Sequence, residues 1–100
     1  MKIDLKKFGT TLTSRQLGKE AFAAFQPSLK KVNEGEIIEV DFDGVNTFSP
    51  SWGAEFLIPL INMFPEKVSL DITKNPSVNI TLELLESISG KKFKRHGAVI

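Results

Sequence analysis

The 100-residue sequence contains no cysteine and has a formal net charge of only +1 at pH 7. The lack of cysteine excludes disulfide bonds, thiolate metal sites and a cysteine nucleophile. It also favours a reducing compartment, so we expect a cytoplasmic protein. Because the charges nearly balance, long-range electrostatics does not indicate nucleic acid or an acidic membrane surface as the partner.

Long apolar runs are also missing. The longest apolar stretch, residues 56–64, contains Pro59 and Asn62 and falls far short of the roughly 20 residues that span a bilayer. The first residues alternate polar and apolar side chains, unlike a secretory signal peptide. We expect no membrane association, and the chain length predicts a single domain over residues 1–100.

Three segments alternate apolar and polar side chains as half-buried β-strands do, at residues 1–5, 36–42 and 68–72. A short edge strand is predicted at residues 98–100. The strand residues expected to be buried are Ile38, Val40, Phe42, Val68, Leu70 and Ile72. The opposite face is expected to lie open to solvent or to a partner, and it carries Lys2, Asp4, Glu39, Asp41, Ser69 and Asp71.

The first helix is predicted to start at Thr13, with Gln16 completing a capping box. Leu17 is expected on its buried face, and Pro27 is expected to end its regular part near Gln26.

Serine or asparagine followed by proline is typical of a helix start, which places the second and third helices after Ser49 and Asn75. Gly90 is expected to stop the third helix. The apolar stripe of the second helix is Gly53, Phe56, Leu57, Leu60, Ile61 and Phe64. The third helix is expected to bury Val78, Leu82, Leu85 and Ile88.

Strands separated by single helices predict parallel pairing with right-handed crossovers. Because the strands alternate instead of being continuously apolar, all helices are expected on one face of the sheet. The predicted fold class is therefore α/β, a single domain with a mainly parallel sheet. In this topology the helix starts near Thr13, Ser49 and Asn75 meet at one edge, where free N–H groups attract anions.

Other patterns carry weaker signals. Glu39, Asp41 and Asp43 could hold a hard metal ion, but carboxylates on an open strand face are more often simply solvated. His96, the only histidine, lies in the basic run 91–96 and is expected to be exposed. That run could contact phosphates, although a solvated chain end fits the balanced charge better. We predict no enzyme, no cofactor and no metal site, because the sequence has no visible base–nucleophile pair.

Trp52 lies off the main apolar stripe of the second helix. It could anchor a protein interface, since tryptophan is enriched at binding hot spots. It could equally roof the core, and the sequence leaves both interpretations open.

Residues 40–45 (Val-Asp-Phe-Asp-Gly-Val) and 48–56 (Phe-Ser-Pro-Ser-Trp-Gly-Ala-Glu-Phe) resemble the signature of STAS-like domains. These small bacterial domains are related to anti-sigma factor antagonists, and the resemblance spans residues 2–88. The resemblance implies a single-domain βα superhelix (STAS-like) with helices on one side of the sheet, and a protein-binding switch. The antagonists bind a histidine-kinase-like ATPase, and phosphorylation of a serine at the start of the second helix breaks that complex.

The sequence departs from the antagonists at the acceptor serine, whose position is occupied by Pro50. Ser51 and Ser49 flank it and are the possible substitutes. We therefore expect a non-enzymatic regulatory module that docks a histidine-kinase-like ATPase or a related regulator. The alternative is a small-ligand or nucleotide-sensing domain that uses the same helix N-termini. The predicted partner-binding residues are Asp43, Asn46, Ser49, Pro50, Ser51, Trp52 and Glu55.

Overall fold

In the computed structural model, which describes residues 1–97, short parallel strands alternate with three long helices. The elements are β1 (Lys2–Asp4), a 3₁₀ turn (Leu5–Phe8), β2 (Thr11–Leu12), α1 (Arg15–Leu29), β3 (Ile38–Asp41), β4 (Thr47–Phe48), α2 (Pro50–Met63), β5 (Val68–Asp71), α3 (Pro76–Ser89) and β6 (Lys94–His96). A four-stranded parallel sheet has the order β1-β3-β5-β6, and β2 pairs with β4 in a separate parallel ladder. The predicted α/β class is confirmed.

The two faces of the four-stranded sheet differ as the alternation predicts. Ile38 and Val40 in β3, and Leu70 in β5, are fully buried beneath the helices. The residues between them, such as Glu39 and Asp71, are only half-buried and lie on the opposite side, which we call the open face. Because α1 packs against α2 and α2 against α3, the helices form one layer.

Aromatic rings fill the core between α1, α2 and the 3₁₀ turn. Trp52 is 2 % exposed, and its ring stacks on Phe56 with the centroids 4.9 Å apart. Phe8 and Phe48 contact the same indole, each with its centroid 6.0 Å away. Trp52 therefore belongs to the core and is not available as an interface anchor.

The α1–α2 crossing depends on the absence of a side chain at Gly18. A Cβ atom at this position would lie 2.8 Å from the carbonyl oxygen of Trp52 and 3.0 Å from its Cα atom. The close approach turns Gly18 towards α2 and leaves the neighbouring Leu17 59 % exposed. The expectation that Leu17 lies on the buried face is therefore wrong.

Both predicted ends of α1 need correction. The N-cap is Ser14 and not Thr13, because the Ser14 hydroxyl accepts a hydrogen bond from the Leu17 N–H at 3.2 Å. At the other end, Pro27 does not terminate the helix, which continues to Leu29. Pro27 is exposed, so its ring meets solvent and the local cost is mainly one missing backbone hydrogen bond.

Two predicted core positions are also exposed. Ile72 follows the end of β5 and is 39 % exposed, and Ile88 in the last turn of α3 is 70 % exposed. The edge strand of the sheet is β6, within the basic run, whereas the strand predicted at residues 98–100 lies outside the described residues. None of the helices in residues 1–97 combines the length and apolar character needed to cross a membrane.

Candidate functional site

The edge predicted from the sequence lies where the N-termini of α1 and α2 meet. Ser49 caps α2, since its Oγ atom accepts a hydrogen bond from the Trp52 N–H at 3.4 Å. The same hydroxyl donates to the carbonyl of Thr13, 2.9 Å away and just before α1. The Ser49 N–H also donates to the carbonyl of Leu12. The two helix starts are thereby held together, and we call the surface formed by residues 10–15 and 43–55 the N-terminal edge.

The cap of α3 holds the segment that precedes β4. Asn75 Oδ1 accepts hydrogen bonds from the N–H groups of Ser77 and Val78, at 2.8 Å and 3.4 Å. Its Nδ2 atom donates to the carbonyls of Val45 and Asn46, at 2.7 Å and 3.2 Å. A single amide side chain thus both starts α3 and positions the N-terminal edge.

Two hydroxyl groups of α3 complete this clamp on the backbone of Phe48. Ser77 Oγ accepts from the Phe48 N–H at 3.0 Å, and Thr81 Oγ1 donates to the Phe48 carbonyl at 2.6 Å. The strand β4 has only two residues, so these bonds supply partners that a longer ladder would otherwise provide. The β4–α2 junction is therefore held by hydrogen bonds to β2, to the segment just before α1 and to α3.

The remaining predicted site residues occupy different environments along this edge. Asp43 is exposed and forms a turn with Gly44, its N–H donating to Asp41 Oδ1 at 2.9 Å. Asn46 is also exposed, and its N–H donates to the carbonyl of Thr10. Pro50 and Ser51 are the first two residues of α2 and are half-buried.

Glu55 pairs with a residue that the sequence did not single out. Its Oε2 atom lies 3.1 Å from Nη1 of Arg15, in the first turn of α1. The Arg15 side chain is 63 % exposed, so solvent screens the pair and its contribution to stability is small. Two opposite charges are therefore displayed beside each other on the N-terminal edge. Only the packing of α1 on α2 brings them together.

The hydroxyl of Ser49 forms hydrogen bonds with backbone groups only. Within residues 1–97, neither Ser49 nor Ser51 is hydrogen-bonded to an ionisable side chain, and Ser49 uses its hydroxyl both to cap and to donate. His96 lies on β6, opposite Asp71 of β5. The Ser49 hydroxyl thus acts as a structural group of the edge, whereas Ser51 Oγ makes no hydrogen bond within the described residues.

The carboxylates of the open face do not form the cluster considered from the sequence. Asp41 is paired with Lys2 at 3.3 Å, and its pKa is lowered by the hydrogen bond from the Asp43 N–H and by Lys2. Glu39 lies instead near Asp71 and His96, with one potential ligand atom of each within 4.8 Å of the others.

This arrangement disfavours the ionised form of Asp71. Burial, a hydrogen bond with Glu39 and the charges of Glu39 and Asp41 raise the pKa of Asp71 to about 6. Its Oδ1 atom is shielded from solvent and has no hydrogen-bond partner in residues 1–97. The expectation that His96 is exposed holds, and the structure places it beside Glu39 and Asp71, which the sequence did not indicate.

A cavity of about 320 Å³ lies at the opposite end of α2 from the N-terminal edge. Its wall includes Phe64, Val68 and three lysines of the segment before and within β6, Lys91, Lys92 and Lys94. This position does not match the alternative of a ligand site at the helix N-termini.

Comparison with known proteins identifies the family. Residues 19–78 match the family described as a STAS-like domain of unknown function (DUF4325). The matched segment includes β3, α2, β5 and the site residues from Asp43 to Glu55, whereas His96 lies beyond it. No curated protein and no solved structure gave a significant match. Because the match covers more than half of the chain, the protein belongs to the family of STAS-like domains of unknown function.

Proposed function

We propose that this STAS-like domain is a regulatory module that binds another protein through its N-terminal edge. The observation that carries the proposal is that this edge combines an ordered backbone with accessible side chains. Hydrogen bonds from Ser49, Asn75 and Thr81 hold its backbone, while its outer side chains remain accessible. A surface that is already ordered loses less conformational entropy when a partner binds.

The chemistry of the edge suits a polar and reversible complex. Its exposed side chains include the hydroxyls of Thr10, Thr11, Thr13 and Thr47 and the amide of Asn46. Arg15 and Glu55 add one charge of each sign. With Trp52 buried, the surface lacks the large apolar anchor of a permanent interface. We therefore infer hydrogen bonding and charge complementarity as the source of specificity, as in transient signalling contacts.

The partner that we propose is a histidine-kinase-like ATPase or a related regulator. The support is the resemblance of residues 40–56 to anti-sigma factor antagonists, together with membership in a STAS-like family. Phosphorylation is not expected to control this complex as it does in an antagonist. Pro50 occupies the first position of α2, where the acceptor serine is expected, and Ser49 is engaged in capping.

A binding measurement with charge-reversed variants tests the proposal. The protein is titrated by isothermal calorimetry with a histidine-kinase-like ATPase from the same organism. Glu55→Lys is expected to weaken binding by about 1–3 kcal/mol, the range of hot-spot truncations. The matched control is Glu83→Lys, which reverses an exposed charge on α3 and is expected to leave affinity unchanged.

A thermal melt must accompany the titration, because Glu55→Lys replaces the exposed Arg15–Glu55 ion pair, worth about 0.2–1 kcal/mol, by two like charges. The double variant Arg15→Glu/Glu55→Lys restores an ion pair with reversed direction, so it is expected to recover stability but not affinity. Equal affinity of Glu55→Lys and the wild-type protein would place the binding surface elsewhere.

Phosphorylation is tested by incubating the protein and the ATPase together with ATP and measuring the intact mass of the protein. One added phosphate at Ser49 or Ser51 would contradict our expectation.

A further inference from the structure

The open face brings together three side chains with metal-ligand chemistry. Glu39 belongs to β3, Asp71 to β5 and His96 to β6, three strands that are neighbours in the sheet. One potential ligand atom of each lies within 4.8 Å of the other two. Two carboxylate oxygens and one imidazole nitrogen therefore converge from strands far apart in the sequence.

The cations of this face are engaged elsewhere. Lys2 forms an ion pair with Asp41, and Lys94 lies 3.1 Å from the carboxylate of Glu66. The Lys94 ammonium also donates to the Glu66 carbonyl at 2.8 Å. In the described residues no salt bridge reaches Glu39 or Asp71, although both are partly removed from water. Neither carboxylate therefore has a direct ion-pair partner in the described residues.

The buried oxygen of Asp71 is a separate indication. Its Oδ1 atom is inaccessible to solvent and finds no donor in residues 1–97. A buried carboxylate oxygen without a partner is costly, because it has lost water and gained no hydrogen bond. A bound cation would supply the missing partner and would also offset the repulsion between Asp71 and Glu39.

The spacing of the three groups suits an ion better than direct contact. His96 forms no salt bridge or hydrogen bond with either carboxylate in the described part of the chain, although all three lie within 4.8 Å. Ligand atoms bound to one ion at about 2.0–2.2 Å lie roughly 3–3.5 Å apart. Small side-chain rotations would therefore close the set around an ion.

We propose that Glu39, Asp71 and His96 form a binding site for a first-row transition-metal ion of the Zn²⁺ class. An imidazole with two carboxylates suits zinc and its neighbours, whereas Mg²⁺ and Ca²⁺ prefer all-oxygen sites. The ligands bind the ion as ionised carboxylates and a neutral imidazole, so any proton that they carry passes to solvent when the ion binds. The remaining coordination positions are open to water or to a partner's ligand, and the ion ties the edge strand β6 to β5 and β3. This site does not depend on the proposed interaction at the N-terminal edge.

Titration of the intact, untagged and chelator-treated protein with ZnCl₂ tests the site. Calorimetry is expected to show one Zn²⁺ per chain, and MgCl₂ or CaCl₂ is expected to give no saturable heat. Because His96 is the only histidine, its imidazole NMR signals report the binding site without ambiguity. They are expected to shift at the same stoichiometry, and amide exchange in β6 is expected to slow.

Three variants separate this site from general attraction to surface carboxylates. His96→Ala and Asp71→Asn are each expected to weaken Zn²⁺ binding by about tenfold or more, since even outer-shell changes cost that much. Glu83→Gln removes an exposed carboxylate on α3, outside the cluster, and is expected to leave affinity unchanged. His96 is exposed, so its variant keeps the test valid even if Asp71→Asn fails to fold. No stoichiometric Zn²⁺ binding, unshifted His96 signals, equal binding of Mg²⁺ or unaltered affinity of His96→Ala would each overturn the proposal.

Discussion

Replacement of Asn75 tests whether one side chain both starts α3 and orders the N-terminal edge. In Asn75→Ala the N–H groups of Ser77 and Val78 lose their cap, which costs about 1 kcal/mol. The carbonyls of Val45 and Asn46 lose two donated hydrogen bonds, each with a net value of about 0.5–1.5 kcal/mol. Because the bond to Val45 is short and the bond to Asn46 is more exposed, we expect a total loss of about 2–3 kcal/mol.

The matched variant Asn75→Ser separates the two roles. Serine caps helices about as well as asparagine, but it cannot reach both carbonyls with amide donors. We expect its stability to lie between the wild-type protein and Asn75→Ala, about 1–2 kcal/mol below the former. Urea unfolding followed by the fluorescence of Trp52, the only tryptophan, measures all three proteins.

Hydrogen exchange shows where the loss occurs. The N–H groups of Asn46 and Thr47 donate to the carbonyl of Thr10, and in Asn75→Ser they are expected to exchange faster than amides of β3. If Asn75→Ser equals the wild-type protein in both stability and exchange, the amide of Asn75 does not hold the edge. That result would also remove the main argument for a preordered binding surface.

Two further predictions concern packing and pH dependence. Gly18→Ala should destabilise the protein by about 1–2 kcal/mol in urea unfolding, because the clash of the added methyl group with the Trp52 backbone costs about 2–3 kcal/mol and the gain in helix propensity is roughly 1 kcal/mol; a stabilised variant would show that the crossing is not tight. Asp71→Asn, measured with a chelator present, should stabilise the protein at pH 8. The pKa of Asp71 is raised to about 6 in the folded state, so the wild-type protein loses stability as pH rises from about 4 to 6, and the variant does not. The full shift corresponds to about 3 kcal/mol, which solvent screening on the open face reduces to about 1 kcal/mol. Equal stability of variant and wild type at pH 8 would contradict this account.

Local patterns were sufficient for much of the fold. Alternation of side chains predicted β1, β3 and β5 and the burial of Val40 and Leu70, because a strand directs successive side chains to opposite faces, whereas β6 was not predicted. Ser49 and Asn75 were predicted as helix starts, because capping depends on a few consecutive residues.

Errors arose where nonlocal packing decided between neighbouring residues. Thr13 and Ser14 can both cap a helix, and in the structure Ser14 caps α1 while the carbonyl of Thr13 accepts a hydrogen bond from Ser49. The same crossing buries Gly18 and leaves Leu17 in solvent, although leucine is the more apolar residue. The two-residue ladder of β2 and β4 is too short to give a periodic signal.

The sequence by itself determined the α/β class, the single layer of helices and the position of the N-terminal edge, because these follow from periodicity and caps within short segments. Only the tertiary structure placed Trp52 in the core and joined Arg15 to Glu55. It also brought His96 beside Glu39 and Asp71, residues separated by 25 or more positions along the chain. Such long-range contacts depend on strand order and register, which place distant residues side by side. The local sequence pattern around each residue does not reveal them.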